Sequence, residues 1–398
     1  MPPSLERLGQ FDILVAGGGV VGAAGAIRLA RLGARVALVD AEPLRTHARL
    51  HRPGERISAR TCFQLEELGI PALDAGIAAR PSLSTWTGGP PQSAAPGWPP
   101  ARLVERRELD AHALDATARA GVHVLTGRRV TALGGQPGDW RAAIDGPQTT
   151  LAAAFFVDAT GRRAVLARTR GAERLECDRF VGLVRRWSGG PDQAGEFLLE
   201  PVGDGWLYAA GLANGEGLVG WMSFSDLLRG RGRSRGDSPG GLGGALVRSR
   251  LVGPFLAASR DWAVATLHPS SPGRLSVACG PGWAALGDAA LHTDPIEGQG
   301  IGRGLEMAEA LEALIVAPAA EARGRALGYS AWLAACLETH LAERIAIYED
   351  AAELNDAFLS RLARPAPSTQ ATAGPPPRPE NLAERGIQQE SASVPPPN

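Results

Sequence analysis

The stretch FDILVAGGGVVGAAGAIRLARLGARVALVD, residues 11–40, decides the fold. An apolar run leads into GGGVVG at positions 17–22, an Ala- and Leu-rich segment follows to about Leu32, and a second apolar run ends on Asp40. This order of strand, glycine turn, helix and strand is typical of a βαβ unit that binds a dinucleotide. The alternative is an incidental glycine-rich turn, since the chain holds 51 glycines.

Each position of the turn has a physical part in such a site. Gly17 permits the tight turn, Gly19 lets the backbone approach a pyrophosphate, and Gly22 lets the helix lie close to the strand. The helix N-terminus faces the anion. Asp40 stands where its carboxylate can accept hydrogen bonds from a ribose. We therefore predict that Asp40 and the whole turn bind the cofactor. The turn residues are Gly17, Gly18, Gly19, Val20, Val21 and Gly22.

Size and charge restrict the class of protein. A chain of 398 residues with 44% apolar content suggests two lobes with appendages. The formal net charge of −1 gives no overall field that would attract nucleic acid or a membrane, so neither partner is expected. The N-terminus lacks a signal-peptide pattern and no apolar run reaches membrane-spanning length, so we expect a cytoplasmic protein.

The cysteines and the basic residues exclude some chemistry. The four cysteines have no paired spacing, which argues against a disulfide framework and against a metal site. All 41 basic residues are arginine, because the chain contains no lysine. A Schiff base or a lysine general base is therefore excluded, since arginine stays protonated at working pH.

Residues after the first βαβ unit leave alternatives open. Glu55, at the end of an Arg-Pro-Gly-Glu turn, either faces the cofactor cleft or caps the following helix. Arg106 lies four residues before Asp110 at a helix entrance, where it is either a solvated charge or a fork for a phosphate or a cofactor oxygen. We predict that Arg106 contacts the cofactor, as does Val130 in a later strand.

From residue 173 to 274 the hydrophobic period changes to two, which predicts an antiparallel sheet with a helix after it. The predicted strands are 180–187, 196–201, 205–213 and 217–224, and the predicted helix is 242–259. Aromatic residues on this sheet either pack in a core or line a pocket for an aromatic substrate. They are Trp187, Trp206, Tyr208, Trp221 and Phe224.

Two further segments have unusual composition. Residues 228–244 carry Arg229, Arg231, Arg233 and Arg235, which mark either a mobile surface loop or a docking surface for an acidic partner. The chain from Pro365 onward has nine prolines in 34 residues and few large apolar residues, so we expect it to be disordered.

The second informative stretch is GWAALGDAALHTDPIEGQGIG, residues 282–302. A short strand ends at Gly-Asp, and a Pro- and Gly-rich turn opens a helix from about Ile301. Asp288 could accept hydrogen bonds from ribityl hydroxyls. The helix N-terminus favours negative charge by roughly 0.3–2 kcal/mol, and a reduced flavin carries such a charge. The cofactor residues predicted here are Gly287, Asp288, Pro295, Gly298, Gln299, Gly300 and Ile301.

Three ionisable side chains lie just before this helix. His292, Asp294 and Glu297 could assist proton transfer, although helix capping is an equal alternative for the two acids. His292 and Glu297 are the predicted catalytic residues. The predicted domains are 1–172 and 275–320 for the cofactor, 173–274 for the substrate, 321–364 for C-terminal helices packed across the first lobe, and 365–398 for the tail.

Together these segments resemble the FAD-dependent monooxygenases of the para-hydroxybenzoate hydroxylase type. The matching pieces are GGGVVG with Asp40, the helix entrance at Arg106, VDATGR at 157–162, and the stretch from Gly287 to Gly302. The Arg-Pro-Gly-Glu turn and the later stretch look most like the branch related to tryptophan halogenases. That branch includes flavoproteins that oxidise a tryptophan side chain of a partner protein to mature a quinone cofactor.

The resemblance implies an α/β fold with a Rossmann-like FAD-binding lobe, an antiparallel-sheet substrate lobe and C-terminal helices. It implies hydroxylation of an electron-rich aromatic ring through a flavin C4a-hydroperoxide, with electrons from NAD(P)H or from a separate flavin reductase. Halogenation is not expected, because that activity needs an active-site lysine and a Trp-x-Trp-x-Ile-Pro motif, and the chain has neither. The alternatives are a small-molecule aromatic hydroxylase, a non-oxygenating FAD-dependent reductase and a protein that keeps FAD structurally.

Overall fold

The stretch at residues 11–40 forms the expected βαβ unit in a computed structural model that describes residues 7–43, 54–93, 101–146, 149–229, 241–315 and 319–362. The described strands are β1 (Arg7–Ala16), β2 (Val36–Asp40), β3 (Glu55–Ile57), β4 (Gly76–Ala78), β5 (Leu83–Ser84), β6 (Gln92–Ser93), β7 (Arg102–Val104), β8 (His123–Thr126), β9 (Val130–Gln136), β10 (Asp139–Ile144), β11 (Thr149–Asp158), β12 (Arg174–Glu176), β13 (Phe180–Trp187), β14 (Phe197–Val202), β15 (Gly205–Gly211), β16 (Gly217–Phe224), β17 (Thr266–Pro269), β18 (Gly273–Leu275), β19 (Cys279–Gly280), β20 (Trp283–Ala285) and β21 (Leu291–His292). The described α-helices are α1 (Val20–Arg31), α2 (Ala59–Glu67), α3 (Arg106–Arg119), α4 (Val165–Arg168), α5 (Ser225–Arg229), α6 (Leu242–Arg248), α7 (Val252–Phe255), α8 (Gly300–Ile315), α9 (Ala319–Glu349) and α10 (Asp356–Leu359).

The first sheet is built on parallel strands. β1 lies between β2 and β11, β8 extends the sheet beyond β2, and β20 extends it beyond β11, all in parallel. β19 closes one edge in antiparallel pairing, and β9 and β10 fold back onto β11 as an antiparallel meander. The carboxyl ends of β1, β2 and β11 therefore meet at one edge, where ligands bind in open α/β sheets.

The second sheet contains the four strands predicted between residues 180 and 224. Its order is β17-β13-β16-β15-β14-β5-β6, and all neighbours pair in antiparallel fashion except β14 and β5. β5 and β6 come from residues 83–93, which the sequence analysis assigned to the first lobe. The chain enters the second lobe through β12 and leaves it through β18, and these two strands pair with each other. The division into domains stays a prediction.

The two faces of this sheet bury different aromatic residues. On the outer face Trp187 and Trp221 pack against α6 and α7, and on the inner face Trp206 and Phe224 pack against the C-terminal helices. Core packing is thus the role of these four side chains. Tyr208 differs, because it is half-buried on the inner face and lies between two of the inner clusters.

The prediction of a single helix at 242–259 is wrong, because the chain forms α6 and α7 with a break between them. The buried carboxylate of Glu200 accepts hydrogen bonds from the backbone N–H groups of residues 250, 251 and 252. A carboxylate that collects these donors stabilises a new helix start and ends the preceding helix.

The long helix α9 connects the two lobes. Its first part contributes Tyr329 and Leu333 to the core of the first sheet, and its last part places Tyr348 in the core under the second sheet, beside Phe358 of α10. The C-terminal helices were predicted to pack across the first lobe. The first part of α9 does so, whereas its last part and α10 pack under the second sheet. Within the described ranges, no helix combines the length and the apolar character needed to cross a membrane. Arg231, Arg233 and Arg235 and the proline-rich tail lie outside those ranges.

Candidate functional site

The glycine turn between β1 and α1 has no room for side chains. Gly17 has a φ of +111°, and a Cβ atom on it would lie 2.1 Å from the carbonyl oxygen of Ala159. A Cβ atom on Gly22 would lie 2.0 Å from the carbonyl oxygen of Gly17. The predicted need for glycine at the turn and at the helix-strand contact therefore has a steric cause in this structure.

The N-terminus of α1 is arranged for an anion. The first turn of α1 carries no acidic residue, and its N-cap residue is Gly19, so no side chain caps the helix at that position. The N–H of Val20 donates to the carboxylate of Asp110 on α3 at 3.0 Å. The positive end of the helix dipole thus faces the turn with no acid of its own helix to neutralise it.

Asp40 lies beside this turn. Its side chain is 6% exposed, and one carboxylate oxygen would be 2.6 Å from a Cβ atom on Gly18. The link from β8 to β9 passes the same point, because the N–H of Arg128 donates to the carbonyl oxygen of Asp40 at 3.0 Å. The structure therefore brings the start of β9, with Val130, to the end of β2. Contact of either residue with a cofactor stays a prediction.

Arg106 is the first residue of α3 and pairs with two acids. Its guanidinium forms an ion pair with Glu55 and approaches Asp110 at 3.4 Å. Burial lowers the pKa of Arg106, but the two carboxylates outweigh burial and hold the pKa above its ordinary value. The hydroxyl of Ser58 caps α2, so Glu55 does not have the capping role, and its position at the cofactor cleft stays a prediction.

The Gly-Asp turn of the second motif packs against the first motif. Gly287 has a φ of +62°, and a Cβ atom on it would lie 2.9 Å from a methyl group of Val21. Asp288 follows with a side chain that is 52% exposed, 3.9 Å from the guanidinium of Arg162. The two glycine motifs, which are more than 260 residues apart in the chain, thus form one surface.

The loop before α8 is open on the same side. Pro295, Gly298, Gln299 and Gly300 are exposed, and Gly298 turns the chain into α8 with a φ of +62°. The first turn of α8 carries no acidic residue, so a second helix dipole presents its positive end. Ile301 differs from its neighbours, because its side chain is buried against α1 and α2.

His292 is enclosed by charged neighbours. The guanidinium of Arg174 donates to Nδ1 at 3.0 Å, and Nε2 donates to the carboxylate of Glu176 at 3.0 Å. Burial lowers the pKa of His292, and Arg162 and Arg174 add to this effect against the opposing charge of Glu176. Because both ring nitrogens are engaged, this geometry gives no support to the predicted catalytic role of His292, which stays a prediction.

A buried network holds the loop around Asp294. The carboxylate of Asp294 accepts hydrogen bonds from Nε of Arg344 at 2.6 Å and from the hydroxyl of Tyr348 at 2.9 Å. Arg344 also donates to Asp178 at 2.5 Å. The side chains of Arg344 and Asp294 are fully buried. Of the two predicted roles for Asp294, capping is observed, because the N–H of Ile296 donates to it at 2.9 Å.

Glu297 belongs to the same network. His340 donates from Nδ1 to Glu297 at 2.6 Å, and its Nε2 accepts from the N–H of Asp294 at 2.9 Å. The other carboxylate oxygen of Glu297 lies 3.6 Å from the guanidinium of Arg303. Glu297 is thus fixed by side chains of α8 and α9, and its catalytic role stays a prediction.

The sequence analysis missed the residues of α9 that build this network. His340, Arg344 and Tyr348 are spaced by four, so they lie on one face of the helix. The signal was present, because three polar side chains at this spacing interrupt an otherwise apolar stripe.

Comparisons with known proteins give the same architecture. No protein-family model matches the chain. A menaquinone reductase of Mycolicibacterium smegmatis is 25% identical over 322 residues, which cover 75% of this chain and 74% of the relative. The structure of QhpG, a peptidyl tryptophan dihydroxylase essential for tryptophylquinone cofactor biogenesis, superimposes with a TM-score of 0.74 at 24% identity, covering 91% of this chain and 80% of that one.

A second similar structure is that of the myxobacterial chondrochloren halogenase CndH, described as a variant of FAD-dependent halogenases. It superimposes with a TM-score of 0.76 at 20% identity, covering 96% of this chain and 89% of that one. The chain has the fold of FAD-dependent hydroxylases and halogenases. The predicted fold class is confirmed, and so is the resemblance at the level of the fold.

We predict that Arg344→Met lowers the free energy of unfolding by about 3–5 kcal/mol, because it leaves the buried carboxylates of Asp294 and Asp178 without their cation. Urea denaturation of the full chain measures the change. The control is Arg325→Met on the same helix, which removes an exposed pair with Glu321 and should cost about 0–1 kcal/mol. Equal losses in the two variants would show that the network adds nothing.

We also predict that His292 makes the fold sensitive to mild acid. Its pKa in the folded chain lies below the ordinary value of 6.5, so its contribution to stability is complete above pH 6.5 and is lost as the pH falls through the folded pKa. Each unit of the pKa difference corresponds to about 1.4 kcal/mol. His292→Gln should therefore lose less stability than the wild type between pH 7.5 and 5.5. The exposed His123→Gln is the control, and a wild-type pH profile in His292→Gln would disprove the assignment.

Proposed function

We propose that this chain is an FAD-dependent oxidoreductase that hydroxylates an electron-rich aromatic ring. The observation that carries the proposal is the single surface on which the two glycine motifs meet, with two helices whose first turns carry no acidic residue and two carboxylates, Asp40 and Asp288. A dinucleotide with a flavin head has matching parts, since its pyrophosphate and its reduced ring are anionic and its sugars carry hydroxyls.

The residues of the chain fit FAD in a definite order. The glycine turn at 17–22 and the N-terminus of α1 hold the pyrophosphate, and Asp40 holds the adenosine ribose. Asp288 holds the ribityl chain, and the backbone at 298–301 faces the flavin ring. Arg106, which Glu55 and Asp110 hold at the start of α3, donates to an oxygen of the cofactor in this proposal, and Val130 lies at the adenosine end.

The chain contributes position and exclusion of water to the reaction. When bound, FAD supplies the activation of dioxygen, one atom of which enters the ring while the other leaves as water. The inner face of the second sheet presents the half-buried rings of Phe197 and Tyr208, which stack with centroids 6.3 Å apart. Gly220 lies beneath Tyr208, since a Cβ atom there would be 2.0 Å from the phenol ring. These residues form the wall for the substrate ring.

The substrate in this proposal is a tryptophan side chain of a partner polypeptide. The likeness to the peptidyl tryptophan dihydroxylase supports it, as do the arginine-rich segment and the proline-rich tail in the sequence. Arginines at the rim of a cleft accelerate encounter with an acidic partner. Electrons come from NAD(P)H or from a separate flavin reductase.

A second candidate is a non-oxygenating reductase. The similarity to a menaquinone reductase supports it, and such an enzyme needs the same FAD site with a different substrate pocket. A hydroxylase of free aromatic metabolites is the remaining alternative. These candidates differ in where oxygen and electrons go, so one set of assays separates them.

We predict that the protein binds FAD in preference to FMN and NAD, and that Asp288→Ala weakens FAD binding by about 1.5–3 kcal/mol, because a charge-assisted hydrogen bond is lost. Asp288 is half-exposed, so the fold should be unaffected. Titration of the apoprotein measures both effects, with the exposed Glu306→Ala as the control. Preference for FMN or NAD would rule out the cofactor assignment, and an unchanged affinity would remove Asp288 from the site.

We predict that the protein with reduced FAD and ¹⁸O₂ adds labelled oxygen to tryptophan in a peptide, and that no halide is transferred to tryptophan, indole or pyrrole. The chain has no lysine to hold a halogenating species. Mass spectrometry of the products measures both. A halogenated product would contradict the prediction. Label in a free phenol alone would favour the metabolite hydroxylase, and reduction of menadione without label in any product would favour the reductase.

A further inference from the structure

Arg56 in β3 is a half-buried arginine with no acidic partner. Its guanidinium lies 5.9 Å from the ring centroid of Phe197 on the second sheet. Its Nε atom is buried and has no hydrogen-bond partner. Arg56 forms no ion pair within the described part of the chain, so no carboxylate of the described residues balances its charge.

Three other buried or half-buried arginines have acidic partners. Arg106 has Glu55 and Asp110, Arg344 has Asp294 and Asp178, and Arg186 has Glu105. These ion pairs are all at least partly buried. For Arg56, burial lowers the pKa and no carboxylate opposes the effect. A half-buried cation that has no carboxylate partner can bind an anion.

Arg56 lies beside two features that the proposed function assigns to the cofactor and to the substrate. Its carbonyl oxygen would be 3.9 Å from a Cβ atom on Gly298, so it lies beside the loop that opens α8. Phe197, which its guanidinium covers, stacks on Tyr208. The backbone of Arg56 thus adjoins the surface assigned to the flavin ring, and its guanidinium lies at the aromatic wall assigned to the substrate.

We propose that Arg56 binds a carboxylate that the substrate carries next to the ring to be oxidised. This inference rests on the proposed function and narrows its substrate to acidic ones. In a polypeptide the carboxylate is that of an aspartate or glutamate adjoining the tryptophan; in a free metabolite it is that of an aromatic acid. The planar guanidinium pairs with a carboxylate through two parallel hydrogen bonds, and stacking on Phe197 orients it for this.

The test uses the full chain loaded with FAD, in the wild type and in Arg56→Met, Arg56→Lys and Arg60→Met. Arg60 is the matched control, because it lies four residues further along, is exposed, and has the same charge. The peptide probes are acetyl-Asp-Trp-Asp-amide and acetyl-Asn-Trp-Asn-amide. The free probes are indole-3-propionate and indole-3-propionamide. Dissociation constants come from the change in flavin absorbance, and the affinity for FAD is measured separately.

We expect the wild type and Arg60→Met to bind the acidic peptide about tenfold or more tightly than the amide peptide. Arg56→Met should abolish the difference without changing the affinity for the amide peptide or for FAD, and Arg56→Lys should retain part of it. If only the free probes differ in affinity, so that indole-3-propionate binds more tightly than indole-3-propionamide while the two peptides bind equally, the result supports the role of Arg56 and overturns the polypeptide substrate.

Three results would overturn the inference. One is equal affinity of the wild type for the acidic and amide probes of both kinds. Another is a loss of FAD affinity in Arg56→Met together with an equal loss for both peptides, which would make Arg56 a cofactor residue. The third is a difference that persists in Arg56→Met. Failure of the wild type to bind FAD would instead refute the proposed function, and the apoprotein titration detects that separately.

Discussion

The buried ion pair between Arg344 and Asp294 is the interaction on which the arrangement of the site depends. Its members come from α9 and from the loop that opens α8, and Asp178 at the start of the second lobe shares the same guanidinium. Each of these charges is stable in the interior only while the others are present. The loop facing the cofactor surface, the C-terminal helix and the second lobe are therefore fixed by one another. His340 holds the same loop by accepting a hydrogen bond from the N–H of Asp294.

A chain without lysine builds such networks in a particular way. The guanidinium has five donors in one plane, so a single arginine can engage two acids that approach from different elements. Arg106 does this with Glu55 and Asp110, and Arg344 does it with Asp294 and Asp178. An ammonium group is a compact point charge and would not impose the same planar geometry. The arginines that replace lysine in this chain thus join segments that are distant in the sequence.

The fold was largely predictable because its signals are local. The motif GGGVVG predicts the βαβ unit, and the alternation of apolar and polar residues predicts the strands between residues 180 and 224. A strand at Val130 was predicted, but β10 and the meander that it forms with β9 were missed, since Gly134, Gly135 and Gly138 obscure the alternation there. The break between α6 and α7 was also missed, because Glu200 causes it from 50 residues away. The site showed the same division: both glycine motifs were evident, whereas the partners of His292 and Glu297 come from elements far along the chain and no local pattern specifies them.

The pairing of β12 with β18 has a consequence for how this architecture can change. The strand that leads into the second lobe and the strand that leads out of it are neighbours, so the two ends of that long segment are about 5 Å apart. Segments with adjacent ends can be lengthened, shortened or exchanged with little disturbance to the host, as in natural domain insertions. Selection could thus remodel one half of the molecule while the other is retained. Two elements outside that segment limit this freedom, because β5 pairs with a strand of the second sheet and α9 packs in the cores of both lobes. Both would have to change together with the segment.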